Sequence, residues 1–192
     1  MIVLSERDIK ALLPMEQAIE VVAATMMAVS AGGATLPLRQ IMPVGGGNML
    51  GLMPGAMTEP ACFGVKLVCL FPENPAFGFS SHQGAMVLFE TMHGAAVAMM
   101  NAGRLTAVRT AAASAVATRA LAREDAATLA IVGTGEQAEF HLEAMLAVRQ
   151  IRRVRIVGRR PERAEAFVAL ARSHHPDVTF EWGTDVRAAV DG

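Results

Sequence analysis

Residues 128–145 read TLAIVGTGEQAEFHLEAM, and this stretch decides the fold of the second half of the chain. An apolar run ends in Gly133-Thr134-Gly135, and an amphipathic run typical of a helix follows. The order strand, glycine turn, helix is the setting of the G-x-G-x-x-G fingerprint, although Ala138 stands at the third glycine. Gly133 would make the tight turn, and Gly135 would let the backbone approach a pyrophosphate at the helix N-terminus. The stretch predicts a dinucleotide-binding βαβ unit, with a glycine turn that binds nothing as the alternative.

The segments after this stretch continue the alternation of strands and helices. VRIVG has the pattern of a strand, PERAEAFVALARSHH of a helix and DVTFEW of a third strand. This alternation predicts parallel βαβ units, so we assign residues 123–192 to the N-terminal half of a doubly wound Rossmann domain. A complete domain of this type has about six strands. We therefore expect the chain to be the N-terminal part of a longer protein.

The end of the second predicted strand bears on the choice of nucleotide. NAD sites of this fold usually place an acid there, which bonds the ribose 2′-hydroxyl. Here the sequence is Gly158-Arg159-Arg160, and the first acid is Glu162. A guanidinium suits a 2′-phosphate by charge and by bidentate geometry, so we predict that NADP(H) is favoured over NAD(H). A solvated basic turn is the alternative for the two arginines.

The first half of the chain has a different texture. Two helices are predicted to start near Ser5 and Pro14. LPLRQIMPV, NMLGLMP and FGVKLVCLF have strand character, ENPAFGFSSHQG has loop character, and GAMVLFE with AAVAMMN predicts a hairpin around His93-Gly94. LTAVRTAAASAVATRALA is alanine-rich and predicts a strong helix. We expect residues 1–122 to form an α+β domain with a largely antiparallel sheet, which makes the whole chain α/β.

Composition excludes several classes of protein. The formal net charge of -1 gives no reason to expect a nucleic-acid surface. No apolar run approaches the ~20 residues of a membrane helix, and we do not expect MIVLSERDIK to be a secretory signal. Cys62 and Cys69 are predicted to be inert core thiols in a reducing cytoplasm. We predict no metal site, because the histidines lack ligand spacing and are expected in loops or at the surface: His82, His93, His141, His174 and His175.

Three cations interrupt apolar segments. Lys66 lies within GVKLVCLF, Arg39 within LPLRQIM, and Arg109 within the alanine-rich helix. Between residues 36 and 110 the acids are only Glu59, Glu73 and Glu90. Cations with so few acids nearby favour a site for a small carboxylate. Edge-strand positions or salt bridges are the alternative for each of them.

The alternation of residues 63–71 gives Lys66 a definite face. Phe63, Val65 and Leu67 share one face of this strand, and Lys66 shares the other with Gly64. We expect the Lys66 face to line the cleft toward the cofactor, and we expect Gly64 to leave room for substrate.

From about Leu36 onward the chain resembles the ornithine cyclodeaminase/mu-crystallin family, in GVKLVCLFPENPAFGFSSHQGAMVLFE, NAGRLTAVRTAAASAVATRAL and IVGTGEQAEFHLEAM. The resemblance implies a substrate and dimerisation domain joined to a Rossmann domain, in an NAD(P)-dependent homodimer that acts on small amino or imino acids. It implies that the substrate carboxylate is held by Arg39, Lys66 and Arg109. It implies that the cofactor is approached by Ser81, Arg109, Thr110, Gly133, Gly135, Glu136 and Gln137.

The chain departs from the family pattern at two positions and at its end. Gly158 stands where the NAD-dependent cyclodeaminase carries its ribose-binding acid, and Asn101 replaces a more usual aspartate. The catalytic aspartate of the family would lie beyond Gly192, so no catalytic residue is named. We expect residues 1–192 by themselves to be unstable or inactive.

Within this family we favour a ketimine reductase, which reduces a cyclic or simple 2-imino acid. The arginine pair favours NADPH, and the first domain offers few carboxylates to a distal ammonium. The alternatives are an ornithine cyclodeaminase, which converts L-ornithine to L-proline and ammonia, and a non-catalytic NADPH-binding protein like the crystallins.

Overall fold

The computed structural model describes residues 1–191, which form two sheets with their helices. The strands are β1 (Ile2–Leu4), β2 (Ala34–Thr35), β3 (Gln40–Gly45), β4 (Asn48–Met57), β5 (Cys62–Leu70), β6 (His82–Phe89), β7 (Ala96–Asn101), β8 (Thr128–Val132), β9 (Arg153–Val157) and β10 (Thr179–Gly183). The helices are α1 (Glu6–Leu12), α2 (Met15–Ser30), α3 (Ala102–Leu121), α4 (Glu136–Val148), α5 (Pro161–His174) and α6 (Val186–Val190), with a 3₁₀ turn at Asn74–Phe77.

The chain divides into two compact units. The first unit comprises residues 1–14 and 23–106, and the second comprises residues 15–22 and the chain from residue 107 onward. This division by contacts differs from the predicted domains 1–122 and 123–192, which stay a prediction. Within residues 1–191 no single helix is long and apolar enough to span a membrane. The pair α1 and α2 would reach the required length and composition only together, with a bend of 85° between the two helices.

The first unit is built on a seven-stranded sheet. The strand order is β1-β7-β6-β5-β4-β2, and β3 also pairs with β4. Every pairing is antiparallel except that of β1 with β7, which confirms the largely antiparallel sheet. The hairpin around His93-Gly94 is also confirmed, as the connection of β6 to β7.

Two local signals in this unit have the predicted effect, and one does not. Ser5 caps α1: its hydroxyl accepts a hydrogen bond from the Asp8 N–H, and the Asp8 side chain accepts one from the Ser5 N–H. Pro14 immediately precedes α2. The segment HQG was predicted as a loop, but it forms the beginning of β6. This is possible because Gly84 has no side chain and lets the β6 backbone lie close against β5. A Cβ at Gly84 would stand 2.0 Å from the Leu67 carbonyl oxygen.

The apolar side chains of this sheet are only partly covered. In the described chain, no apolar residue of β2–β7 is fully buried. The buried residues of the first unit instead lie on helices, at Ile9 and Ala102, apart from Gly51 of β4. Both faces of the sheet therefore keep apolar surface available for contacts.

The second unit contains a three-stranded parallel sheet in the order β10-β9-β8. The core of the unit lies between this sheet and its helices; it comprises Leu142, Ile151, Val154, Ile156, Ala164, Val168, Ala171 and Phe180. The first half of α2 belongs here, and its Glu20 carboxylate accepts a hydrogen bond from the Arg119 guanidinium of α3. The structure confirms an α/β chain in which an α+β region precedes the first part of a Rossmann sheet.

Candidate functional site

The glycine turn between β8 and α4 has the geometry that the sequence predicts. Gly133 has a φ of +121°, a conformation that favours glycine, and its N–H donates to the Val157 carbonyl oxygen at 2.8 Å. Gly135 is the N-cap residue of α4, and α4 begins without a side-chain cap. The turn therefore carries the chain from the carboxyl end of β8 directly into the first turn of a 13-residue helix.

This turn fits the pyrophosphate of a dinucleotide. A Cβ at Gly133 or Gly135 would meet no atom within 4 Å, so the space beside both residues is open. Glu136 and Gln137 form the exposed first turn of α4. Helix N-termini present N–H groups and a positive dipole end to anions. The predicted cofactor residues of the turn are thus together, on the unobstructed start of one helix.

A cavity of about 390 Å³ adjoins the turn. It is bounded by β8, by the turn and by α4, and it is lined by Leu129, Ala130, Ile131, Val132, Gly133, Gly135, Gln137, Ala138, His141 and Met145. Its lining is mostly apolar, with one imidazole and one amide, as is usual in cofactor sites.

His141 of this cavity differs from the loop or surface position predicted for the histidines. It lies on α4 and is half-buried. Its Nδ1 is 2.7 Å from the Gln137 carbonyl oxygen, and its Nε2 is 3.0 Å from the Ser114 hydroxyl of α3. No sequence pattern indicates this arrangement, because Ser114 is 27 positions away from His141. His141 thereby fixes the start of α4 against α3.

The two arginines proposed for the 2′-phosphate follow β9. Arg159 and Arg160 are exposed, and Arg160 is the N-cap residue of α5. Both residues follow the carboxyl end of the strand next to β8, and nucleotides bind at this end in parallel sheets of this kind. Their role in choosing the nucleotide stays a prediction.

Lys66 is on a central strand of the first unit. β5 lies between β4 and β6, so an edge-strand position for this residue is excluded. The residues directly opposite Lys66 are Met53 on β4 and Met86 on β6. Lys66 is half-buried, and its assignment to a carboxylate site stays a prediction.

Gly64 has another role than the one expected. A Cβ at this position would stand 2.6 Å from the Val87 carbonyl oxygen. The glycine is therefore required by the close approach of the β6 backbone, and the structure gives no support for space reserved for substrate.

The other predicted substrate and cofactor residues are divided between the units. Arg39 is exposed and precedes β3, so the prediction that it interrupts a strand is wrong. The Ser81 hydroxyl is 3.0 Å from His82 Nδ1, just before β6. Arg109 is exposed and Thr110 is half-buried, and both lie on the part of α3 in the second unit. A common site for these residues stays a prediction.

Asn101 has a clear structural role. Its side-chain oxygen accepts a hydrogen bond from the Arg104 N–H at 3.1 Å, at the start of α3. An asparagine therefore supplies the N-cap contact that an aspartate would also supply. No group of three His, Cys, Asp or Glu side chains that could hold a metal ion occurs in residues 1–191.

Comparison with known proteins identifies relatives over the whole chain. The sequence model of the Ornithine cyclodeaminase/mu-crystallin family matches residues 1–192. Delta(1)-pyrroline-2-carboxylate reductase of Bacillus cereus is 36% identical over 168 residues, which are 87% of this chain and 52% of that protein. The chain thus spans about half the length of the curated relatives it matches.

Two solved structures share the fold. Thermococcus litoralis Delta(1)-pyrroline-2-carboxylate reductase, in complex with NADH and L-proline, matches with a TM-score of 0.94 and 32% identity, over 100% of this chain and 59% of that one. An archaeal alanine dehydrogenase dimer with bound NAD matches with a TM-score of 0.88 and 26% identity, over 95% of this chain and 56% of that one.

Proposed function

Because the chain belongs to the ornithine cyclodeaminase/mu-crystallin family, we propose that the protein is an NAD(P)-dependent oxidoreductase acting at the α-carbon of a small amino or imino acid. Within that class we propose the reduction of a cyclic 2-imino acid. The observation that carries the proposal is the open glycine turn at the start of α4, since it fits a pyrophosphate. The relatives named for Delta(1)-pyrroline-2-carboxylate reduction support the choice of substrate.

The residues of this chain would bind and orient the reactants. When bound, a nicotinamide cofactor supplies the hydride. The N–H groups at the start of α4 hold its pyrophosphate, and Gly133 and Gly135 let it approach the backbone. Lys66, Arg39 and Arg109 hold the substrate carboxylate, which fixes the orientation of the α-carbon.

We propose NADP(H) as the preferred cofactor, on the basis of Arg159 and Arg160. These residues supply positive charge where NAD-dependent proteins of this fold place an acid. The Thermococcus litoralis relative was solved in complex with NADH, and the arginine pair is the observation that favours NADP(H) for this chain.

We also propose that the protein forms a homodimer and works in a reducing cytoplasm. The solved archaeal relative is a dimer, and the sheet of the first unit leaves apolar surface on both faces. Cys62 and Cys69 are both free thiols in the structure, as a reducing compartment requires.

Turnover assays test the proposed function. The purified full-length protein is incubated with Δ1-pyrroline-2-carboxylate, with L-ornithine, or with pyruvate plus ammonia, each with NADPH and with NADH. We expect imine-dependent oxidation of NADPH. Release of ammonia from ornithine would favour the cyclodeaminase alternative, and nucleotide binding without turnover of any substrate would favour a non-catalytic protein.

A further inference from the structure

The backbone at Gly158 is closely surrounded by side chains of the glycine turn and of α5. Gly158 is buried at the end of β9, where its N–H donates to the Gly183 carbonyl oxygen at 3.1 Å. A Cβ at this position would stand 3.0 Å from Thr134 Cγ2 and 3.1 Å from Ala164 Cβ. Both distances are tighter than most Cβ contacts, so a side chain here requires its neighbours to move by a few tenths of an ångström.

The two neighbours differ in their freedom to move. Ala164 is completely buried in the core, and its Cβ is fixed by the α5 backbone, whose N–H here donates to the Arg160 carbonyl oxygen at 3.2 Å. Thr134 is half-buried in the turn between Gly133 and Gly135. A side chain at 158 would therefore have to move Thr134, which lies in the turn that is proposed to hold the pyrophosphate.

Position 158 is the place of an acid in NAD-binding proteins of this fold, at the end of the second strand and about 20 residues after the glycine turn. We infer that Thr134 and Ala164 together determine nucleotide selectivity, because they exclude an acidic side chain from position 158. Thr134 acts as a positioning residue: its methyl group keeps the turn in place only while residue 158 has no side chain. Selectivity against NAD(H) then has a steric part, independent of the charges of Arg159 and Arg160.

This inference rests on the proposed binding of a dinucleotide and on the proposed preference for NADP(H), and it predicts a coupling between residues 134 and 158. Gly158→Ala should lower the Tm and weaken NADPH and NADH alike, because an added Cβ crowds the turn. Gly158→Asp should weaken NADPH without improving NADH. Thr134→Ser removes only the methyl group, so adding it to Gly158→Asp should restore part of the Tm and shift the ratio of dissociation constants toward NADH by about tenfold relative to Gly158→Asp.

The experiment measures dissociation constants for NADPH and NADH by fluorescence titration, together with thermal melts, for the parent protein and these variants. Gly183→Ala is the matched control. Gly183 ends the neighbouring strand β10, and a Cβ there would meet no atom within 4 Å. This variant should behave like the parent in both measurements.

The outcomes separate the inference from the proposed function. If Gly158→Ala melts and binds like Gly183→Ala, or if Gly158→Asp alone prefers NADH with an unchanged Tm, the inference is overturned while dinucleotide binding stands. If Thr134→Ser fails to change the ratio of the NADPH and NADH dissociation constants in the Gly158→Asp protein, steric selectivity is likewise overturned. A parent protein that binds neither nucleotide overturns the proposed function and the selectivity argument with it.

Discussion

At the scale of single residues, the end of β9 is followed by two arginines, where NAD-binding proteins of this fold usually carry an acid. Arg159 and Arg160 are exposed at the end of β9, next to the buried Gly158. The buried glycine removes the acid that would bond a ribose hydroxyl, and the exposed arginines offer two guanidinium groups to a phosphate. Both features support the preference for NADP(H) that we propose.

Replacement of Arg159 by alanine should weaken NADPH selectively. A lost phosphate contact of this kind costs roughly 1–3 kcal/mol, and the affinity for NADH should stay near that of the parent. Fluorescence titration with both nucleotides measures the difference. Arg152→Ala is the control, because Arg152 is an exposed arginine immediately before β9, at its other end. Equal loss of NADPH affinity in both variants would mean that only general charge matters.

Lys66 offers a test of the substrate site. In the full-length protein, Lys66→Met should raise KM and lower kcat/KM by about tenfold to a thousandfold, or ~1.4–4 kcal/mol, because the substrate carboxylate loses its ammonium partner. The affinity for NADPH should change little, since the glycine turn is in the other unit. Lys66→Arg keeps the charge and should recover part of the loss. Steady-state kinetics within error of the parent for Lys66→Met would refute the assignment.

At the scale of elements, local patterns predicted most of the fold. The glycine turn, the parallel strands after it and the β6–β7 hairpin depend on short-range signals, namely apolar periodicity and glycine positions. β1 was missed because it has three residues and pairs with β7, about a hundred positions away. The start of β6 was missed because the place of Gly84 depends on the Leu67 carbonyl of another strand.

The candidate site also has a part that the sequence predicts and a part that it does not. The turn at Gly133 and Gly135 was predictable, because a positive φ and a helix start are encoded in adjacent residues. The contact of His141 with Ser114 and the crowding around Gly158 depend on packing between elements distant in sequence. Residue spacing along one strand or helix carries no information about such contacts.

The turn between β6 and β7 depends on one carboxylate. Glu90 accepts hydrogen bonds from the backbone N–H groups of Ala95 at 2.9 Å, His93 at 3.0 Å and Met92 at 2.6 Å. The bond from Ala95 contributes most, and together these bonds hold the pKa of Glu90 below its usual value. The hairpin is therefore stabilised by the ionised form of this side chain.

The stability of the hairpin should consequently depend on pH. Because the folded-state pKa is lowered, the contribution is fully present above the unfolded-state pKa of about 4.3 and is lost as the pH falls through the folded value. Glu90→Gln should be less stable than the parent at neutral pH and should converge with it under acid conditions. Thermal melts from neutral to acid pH measure this difference. Glu73→Gln, at an exposed acid before the 3₁₀ turn, should stay parallel to the parent throughout.

At the scale of the whole molecule, the sheet of the first unit has two chemically different faces. The Phe63 face consists of the strand residues that share the side of Phe63, as the pairing register shows, and includes Met42, Val65, Val87 and Met99. In the register of β3–β7 this face carries no Asp, Glu, Lys or Arg, whereas the opposite face carries Lys66. An uncharged, half-exposed face is expected to be covered in the working protein.

A second copy of the chain suits the Phe63 face. A two-fold interface brings the same patch of both copies together, so a patch without charges meets no like charge and leaves no ion unpaired. A charged partner would gain nothing from this surface. The Lys66 face stays free for the anionic substrate that we propose. The homodimer therefore should form through the Phe63 face.

Neighbouring residues on opposite faces provide the test. Met42 and Ile41 of β3 are exposed to similar extents, 49% and 52%, but Met42 lies on the Phe63 face and Ile41 on the Lys66 face. Met42→Lys places two like charges in the proposed interface, which should weaken dimerisation by about tenfold or more. Sedimentation at several protein concentrations measures the dimer constant, and circular dichroism shows whether each variant is folded. Ile41→Lys is the control and should sediment like the parent. A monomeric parent, or equal dissociation of the Met42→Lys and Ile41→Lys dimers, would exclude the Phe63 face as the dimer interface.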